Sequence, residues 1–278
     1  MNPFNIQQRE SQLNVLAAQN GGNLIVVPAQ SQSTVREFNV VNLDLDTVVY
    51  RIFNYNRFCS LLQTCQNTLV HPQAWQDPFE NFLLNSQAMY HGQRVSLRPV
   101  RDSWYGQCWT FKEECDGMWR SNTNNTVDRA VKVKTTARKL FESFYDFTNP
   151  FHTISFFIGR IEYVNVNQLN AFFQRAYSNL TDVTNISQMM TLLTKRQEFS
   201  YEDELRLLYC IGANGNPAPN TFQYGIDPNA LFDEVVLDPW TSDADMQTEE
   251  NAMRQAGFNN PIRRSDLYQP NMNVIQIP

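Results

Sequence analysis

The sequence predicts an α+β protein, and two observations carry that reading. Strand-like and helix-like stretches are interspersed without the regular β-α-β alternation of a doubly wound parallel sheet. The 278 residues are 42% hydrophobic, 13% aromatic and 18% charged, the composition of a packed globular chain long enough to bury a core.

Taken in order, residues 1–47 read as an Asn/Gln-rich extension, packed on or beside the main domain or mediating self-association. Within it, Asn5 to Gln19 predicts a short helix broken at Gly21-Gly22. Leu24 to Val27 predicts a strand stopped by Pro28, and Phe38 to Leu45 alternates like another. One α+β domain is expected over 48–278. It opens on a β-branched and aromatic strand, Thr47 to Phe53, after which Asn54 offers an N-cap to a helix carrying Phe58, Leu61, Leu62 and Cys65. Trp75 to Glu80 predicts a turn around Asp77-Pro78, followed by a helix face of Phe79, Phe82, Leu83 and Tyr90. Trp104 to Phe111 and Ala130 to Thr135 predict strands, and Thr136 can cap a helix carrying Leu140, Phe141 and Phe144.

Further on, Thr153 to Val164 predicts a strand with a bulge at Gly159. Leu169 to Tyr177 and Ile186 to Leu193 have helical spacing, and Tyr201 to Ile211 reads as a strand. Leu231 to Leu237 fits a strand or a short helix. Ser242 can cap a helix running to Ala256, with Gly257 as its stop, and Pro261 to Arg264 closes with a short strand.

Scarcity excludes several chemistries. With 10 Gly, 3 His and 5 Cys, the chain shows neither Gly-rich phosphate-binding motif and no Cys/His zinc spacing. The five cysteines are odd in number and irregularly spaced, which suits free thiols in a reducing cytoplasm. No stretch approaches the run of about 18 apolar residues that a membrane span needs. The formal net charge is −6, against a general nucleic-acid coat. The charge is uneven. Residues 94–139 hold 10 Lys+Arg against 5 Asp+Glu, a net of +5, while 200–278 hold 4 against 12, a net of −8. The two segments either neutralise each other in the fold or build a local anion site.

The most informative stretch is Glu202-Asp203-Glu204-Leu205-Arg206. On a strand, Glu202, Glu204 and Arg206 share one face and Leu205, Leu207 and Tyr209 the other. Two carboxylates beside a guanidinium can hold a sugar hydroxyl and steady a neighbouring cation; the same spacing fits a solvated strand face with a Glu–Arg pair. Arg51, beside Tyr50 in an apolar run, needs an anion, either a carboxylate or a phosphate. In Cys108-Trp109-Thr110, an aromatic or thiol core residue precedes a strand-end hydroxyl, and no His stands in a context to activate Cys108. Asp77, Glu80, Glu202, Glu204, Lys132 and Lys134 would supply the parts of a metal-dependent nuclease without any spacing that favours one.

The order of these motifs is informative beyond each of them. Tyr50-Arg51, Trp75-Gln76-Asp77-Pro78-Phe79-Glu80, Cys108-Trp109-Thr110, Met118-Trp119, Val131 to Thr136, Phe199 to Arg206, Asp238-Pro239-Trp240 and Arg264-Ser265-Asp266-Leu267-Tyr268 follow in sequence. Together they resemble the bacterial and phage domain-of-unknown-function family 2971, over residues 48–268. Gln76 stands where Asn is usual and Thr110 where Ser is usual. That motif order is similar to the Arg/His–Ser/Thr–Glu ADP-ribosyltransferases. The resemblance implies a split or strongly twisted mixed sheet flanked by helices, with NAD bound as substrate. It assigns Arg51 to the NAD diphosphate or ribose and Thr110 to the catalytic glutamate or nicotinamide ribose. It makes Glu204 the residue on the ribose 2′-hydroxyl and Glu202 the one that positions the acceptor, with Trp109 or Tyr50 stacked on nicotinamide. It implies a macromolecular acceptor, protein or nucleic acid, and a toxin or phage-defence role. A nuclease effector and a non-catalytic antitoxin or sensor subunit are the competing readings.

Overall fold

The computed structural model describes residues 6–19, 21, 29–75, 87–90, 92–122, 129–176, 184–212 and 219–269. The strand expected at Leu24 to Val27, the Asp77-Pro78 turn with Gln76 and Glu80, and the Phe79, Phe82 and Leu83 face lie outside the described residues. The strands are β1 (Val40–Val41), β2 (Val48–Asn54), β3 (Gln66–Val70), β4 (Gln87–Tyr90), β5 (Gln93–Ser96), β6 (Trp104–Thr110) and β7 (Ala130–Thr136). They continue as β8 (Phe156–Arg160), β9 (Glu162–Val164), β10 (Thr194–Arg196), β11 (Glu204–Cys210), β12 (Thr221–Gly225), β13 (Glu234–Leu237) and β14 (Ile262–Arg264).

Ten strands form one mixed sheet in the order β1-β8-β11-β6-β2-β7-β13-β14, with β3 joined to β6 and β12 to β3. β1–β8 and β13–β14 are parallel; the other pairs of this sheet are antiparallel. The chain is therefore α+β with a large mixed sheet flanked by helices. The sheet is nearly parted in the middle. β2 and β6 meet only at Tyr50↔Thr110, and farther along β6 the neighbour is β3, at Val70↔Gly106.

Side-chain alternation sorts the two faces. One face carries Val49, Trp109, Val131, Val133, Leu205, Leu207 and Val235 into the largest core, closed by the helices Tyr55–Thr64, Ala137–Phe144 and Asp243–Gln255. The opposite face is covered in two separate patches. Trp104, Phe157 and Leu208 pack under the helices Val166–Ala176 and Ile186–Leu192, and Ile52, Ala130 and Val236 pack under Trp119. Between those patches the face is polar.

The caps read from sequence form as expected. Asn54 accepts from the Asn56 and Arg57 amides, Thr136 from Lys139 and Ser242 from Asp245. Other readings differ. Tyr90, expected on a helix face, lies in the strand β4. Phe38 to Leu45 yields only β1, because Ala29–Glu37 is helical up to the preceding turn. Thr153 to Val164 divides into the helical turn His152–Ser155, β8 and β9. Gly159 is no bulge: its register with Arg206 and Val41 is unbroken. It is small because a Cβ there would meet Leu193 Cδ1 at 2.5 Å and Val41 Cβ at 2.9 Å.

Candidate active site

The polar seam lies at the near-parting of the sheet. Glu204 on β11 stands opposite Thr110 on β6, Thr110 opposite Tyr50 on β2, Tyr50 opposite Lys134 on β7, and Lys134 opposite Glu234 on β13. Directly opposed residues of antiparallel strands project to the same side, so the five side chains form one row across the sheet.

Glu204 is the anchor of this row. Arg206 donates to its Oε1 through Nε at 2.7 Å and to its Oε2 through Nη2 at 3.1 Å, and Lys195 Nζ also stands 3.3 Å from Oε2. Burial alone would raise its carboxyl. The charge and hydrogen bonds of Arg206, the Lys195 charge and the Cys108 thiol outweigh that and hold it at about 2. Its own amide donates to the Tyr163 hydroxyl at 2.9 Å. Arg206 is itself fixed: Nη1 donates to the Leu192 carbonyl at 2.7 Å, and the Trp75 ring covers the guanidinium at 4.0 Å.

Glu202 departs from the strand expected there. Residues Gln197–Glu202 form a 3₁₀ helix that ends on Asp203, a left-handed residue at φ 43. Asp203 keeps the ladder through its carbonyl, which accepts from the Phe111 amide at 2.9 Å. Its carboxylate is held by Arg160 at 2.7 Å. Glu202 therefore precedes β11 rather than lying on it. The two carboxylates are joined instead by Lys195, whose Nζ lies 2.6 Å from Glu202 Oε2. The Glu202 side chain is 32% exposed and that of Glu204 only 5%. Thr110 is tied to the same turn, its hydroxyl donating to the Glu202 carbonyl at 2.6 Å.

Two expected partners sit elsewhere. Trp109, one residue from Thr110, alternates into the large core at 2% exposure and donates its indole N–H to Gln107. A ring enclosed in that core cannot stack on nicotinamide without opening it. Arg51 alternates away from Tyr50. Its guanidinium packs over the Phe53 ring at 4.8 Å, and burial works against its charge while Cys108, Tyr224 and Glu204 favour it. Nη1 is buried without a hydrogen-bond partner among the described residues. Tyr50 does face the row; burial and the nearby Glu113 and Glu234 charges push its phenol up, so it remains a neutral hydroxyl near neutral pH.

On the other side of Tyr50, Lys132 is enclosed 3.3 Å from Glu114 and 5.6 Å from the Tyr50 ring centre. Glu114 also accepts from the Trp119 indole at 2.7 Å and from the Ser265 hydroxyl. Lys195 and Tyr163 had no signal in the sequence. Lys195 precedes Glu202 by seven residues across a strand and a 3₁₀ turn, and no single periodicity spans that join. No group of three or more His, Cys, Asp or Glu placed to hold a metal occurs among the described residues.

No family model matches the chain and no curated protein matches it. The resemblance drawn from the motifs therefore stands on those motifs. Among solved structures the chain is similar to DarT of Thermus sp. 2.9. With the NAD+ complex the TM-score is 0.39 at 11% identity, covering 82% of this chain and 100% of that one. With the carba-NAD+ complex it is 0.36 at 10% identity, covering 81% and 98%. With the complex containing ADP-ribosylated ssDNA it is 0.38 at 10% identity, covering 80% and 95%. Overlaps at such scores are loose, and the chemistry of the site is read from its own residues.

Proposed function

We propose that this chain is an NAD-consuming, ADP-ribosyltransferase-like enzyme that breaks the nicotinamide–ribose bond and transfers ADP-ribose to a macromolecular acceptor. The observation that carries the reading is the half-exposed Glu202 carboxylate, fixed by Lys195 and Thr110 beside the enclosed Glu204–Arg206 pair, where the row meets Tyr50.

In such a reaction the C1′–N bond breaks and nicotinamide leaves with the electron pair. A cationic, oxocarbenium-like ribose remains. A fixed carboxylate next to that carbon, accepting from the 2′-hydroxyl, stabilises the charge as it develops. The acceptor nucleophile then closes on C1′ and gives up its proton to solvent. Glu202 is the carboxylate with room to touch a ligand. Glu204, already bonded by Arg206, Lys195 and Cys108, holds the two cations in place beneath Glu202. The 2′-hydroxyl role that motif order assigns to Glu204 thus passes to Glu202. Thr110 holds the Glu202 turn, and Tyr50 offers the ring and hydroxyl along the row. Arg51 acts from behind the seam rather than as a direct ligand to the diphosphate.

No helix among the described residues is long and apolar enough to cross a membrane. The reading places the enzyme in the cytoplasm, as a toxin or phage-defence effector. The test is nicotinamide release from NAD by purified protein, alone and with cell lysate, with Glu202→Gln as the control. Neither NAD binding nor nicotinamide release in any of these conditions would sink it.

A further inference from the structure

The Arg51 guanidinium lies behind the carboxylate seam, on the core side of β2, where the sheet is nearly parted. It follows the bridge residue Tyr50, and past that bridge β2 has no partner on the β6 side among the described residues. Its Nη1 is enclosed without a hydrogen-bond partner, and the guanidinium makes no hydrogen bond or ion pair among the described residues. The Phe53 ring packs against it at 4.8 Å.

An enclosed cation is costly unless an anion meets it. Burial draws this guanidinium down to about 10, which still leaves it charged near neutral pH. Cys108, Tyr224 and Glu204 are the groups whose charge would favour it. None of them neutralises it. Cys108 bonds to Glu204 as a thiol. Burial pushes the Tyr224 phenol up, so it keeps its proton, and its oxygen accepts from Asn67 Nδ2 at 2.8 Å. Glu204 is already shared by Arg206 and Lys195. Arg57, in the first turn of the helix after β2, adds a second positive charge felt by Arg51. It has no ion pair among the described residues either. The chain holds 28 Asp+Glu against 22 Lys+Arg, so a shortage of carboxylates does not explain two neighbouring arginines without one.

We infer that Arg51, with Arg57 beside it, binds a small tetrahedral oxyanion of the phosphate class at the parting of β2 and β6, apart from the NAD seam. A guanidinium fork matches two oxygens of such an ion and supplies the missing counter-charge in one contact. Free phosphate and a phosphate group on a larger ligand share this chemistry. The diphosphate of NAD is not the expected occupant, because Arg51 alternates away from Tyr50 and the row it belongs to.

The experiment titrates the full chain with sodium phosphate at constant ionic strength, without NAD, and follows thermal unfolding and the heat of binding. Expected is saturable binding that raises the unfolding midpoint by about 5 °C at a hundredfold excess over the dissociation constant. Arg51→Met should fold and lose the response, and Arg51→Lys should bind roughly tenfold more weakly. Methyl phosphate binding as tightly as phosphate supports a phosphate group carried by a larger ligand, whereas its rejection supports the free ion. Equal shifts in wild type and Arg51→Met overturn the inference. The same saturable response to chloride alone overturns it too. Displacement of bound phosphate by added NAD also overturns it, by giving Arg51 to the substrate. Because NAD is absent from the main titration, a failed transferase reading leaves phosphate binding standing, and failed phosphate binding leaves nicotinamide release untouched.

Discussion

The Thr110 hydroxyl donates to the Glu202 carbonyl at 2.6 Å, although the residue facing Thr110 across the strands is Glu204. The same oxygen accepts from the Lys112 amide at 3.1 Å. Thr110 thereby pins the 3₁₀ turn that carries Glu202 against the end of β6. Thr110→Val should cost about 1 kcal/mol of stability and lower nicotinamide release about tenfold or more by letting Glu202 drift. Thr110→Ser should retain both. Equal turnover of the Val and Ser variants at saturating NAD would remove Thr110 from the site.

The two glutamates should separate cleanly. Glu202→Gln is expected to abolish most nicotinamide release, by roughly a hundredfold, while shifting stability by less than about 1 kcal/mol, since Glu202 forms a partly exposed pair. Glu204→Gln leaves Arg206 and Lys195 enclosed without their shared counter-charge and should destabilise by about 3 kcal/mol. Urea titration together with a turnover assay on both variants decides the assignment. A stable, inactive Glu204→Gln protein would return the catalytic role to Glu204.

Acid should reveal the same carboxylate. The Glu204 carboxyl is held at about 2 in the folded chain, against an ordinary value of 4.5. A depressed folded value means stabilisation that is complete above the unfolded value and is lost as pH falls through the folded one. Glu204 should therefore contribute on the order of 3 kcal/mol near neutrality, fading between about pH 4.5 and pH 2. The slope of unfolding free energy against pH in that window should flatten in Glu204→Gln.

Much of this architecture is legible in the sequence because it rests on local rules. Asn54, Thr136 and Ser242 each start a helix by their own side chains. Leu205, Leu207 and Tyr209 enter the large core by plain alternation. The same rule runs the strand too far back, since Glu202 belongs to a 3₁₀ helix that closes on left-handed Asp203. Alternation also puts Arg51 opposite Tyr50; its motif value hid that consequence. Among the described residues, β3 and β12 are half-polar pieces that pair with each other and at one point with β6. Nothing local announces such distant partners. Lys195 meets Glu202 only because β10 and the 3₁₀ helix fold back together.

Trp75 depends on one missing methyl group. A Cβ on Gly106 would come within 2.5 Å of the Trp75 ring at Cζ2 and 3.1 Å of Leu208 Cδ2. The ring is rigid and rests on Arg206. Gly106→Ala should lift Trp75 from the guanidinium and destabilise by about 1–3 kcal/mol. A change in tryptophan emission should accompany the loss. An alanine variant of unaltered emission and stability would show that Trp75 is free to step aside.

Among the described residues the Tyr50–Thr110 bridge is the one strand pairing between two half-sheets, one carrying Glu204 and the other Tyr50. A protein built this way resembles a hinged clasp. Its jaws share little ladder and are held together chiefly by the one core beneath them. A ligand spanning both jaws would fasten them to each other, and amide exchange along β2 and β6 beside the bridge should slow far more than exchange deep within either half.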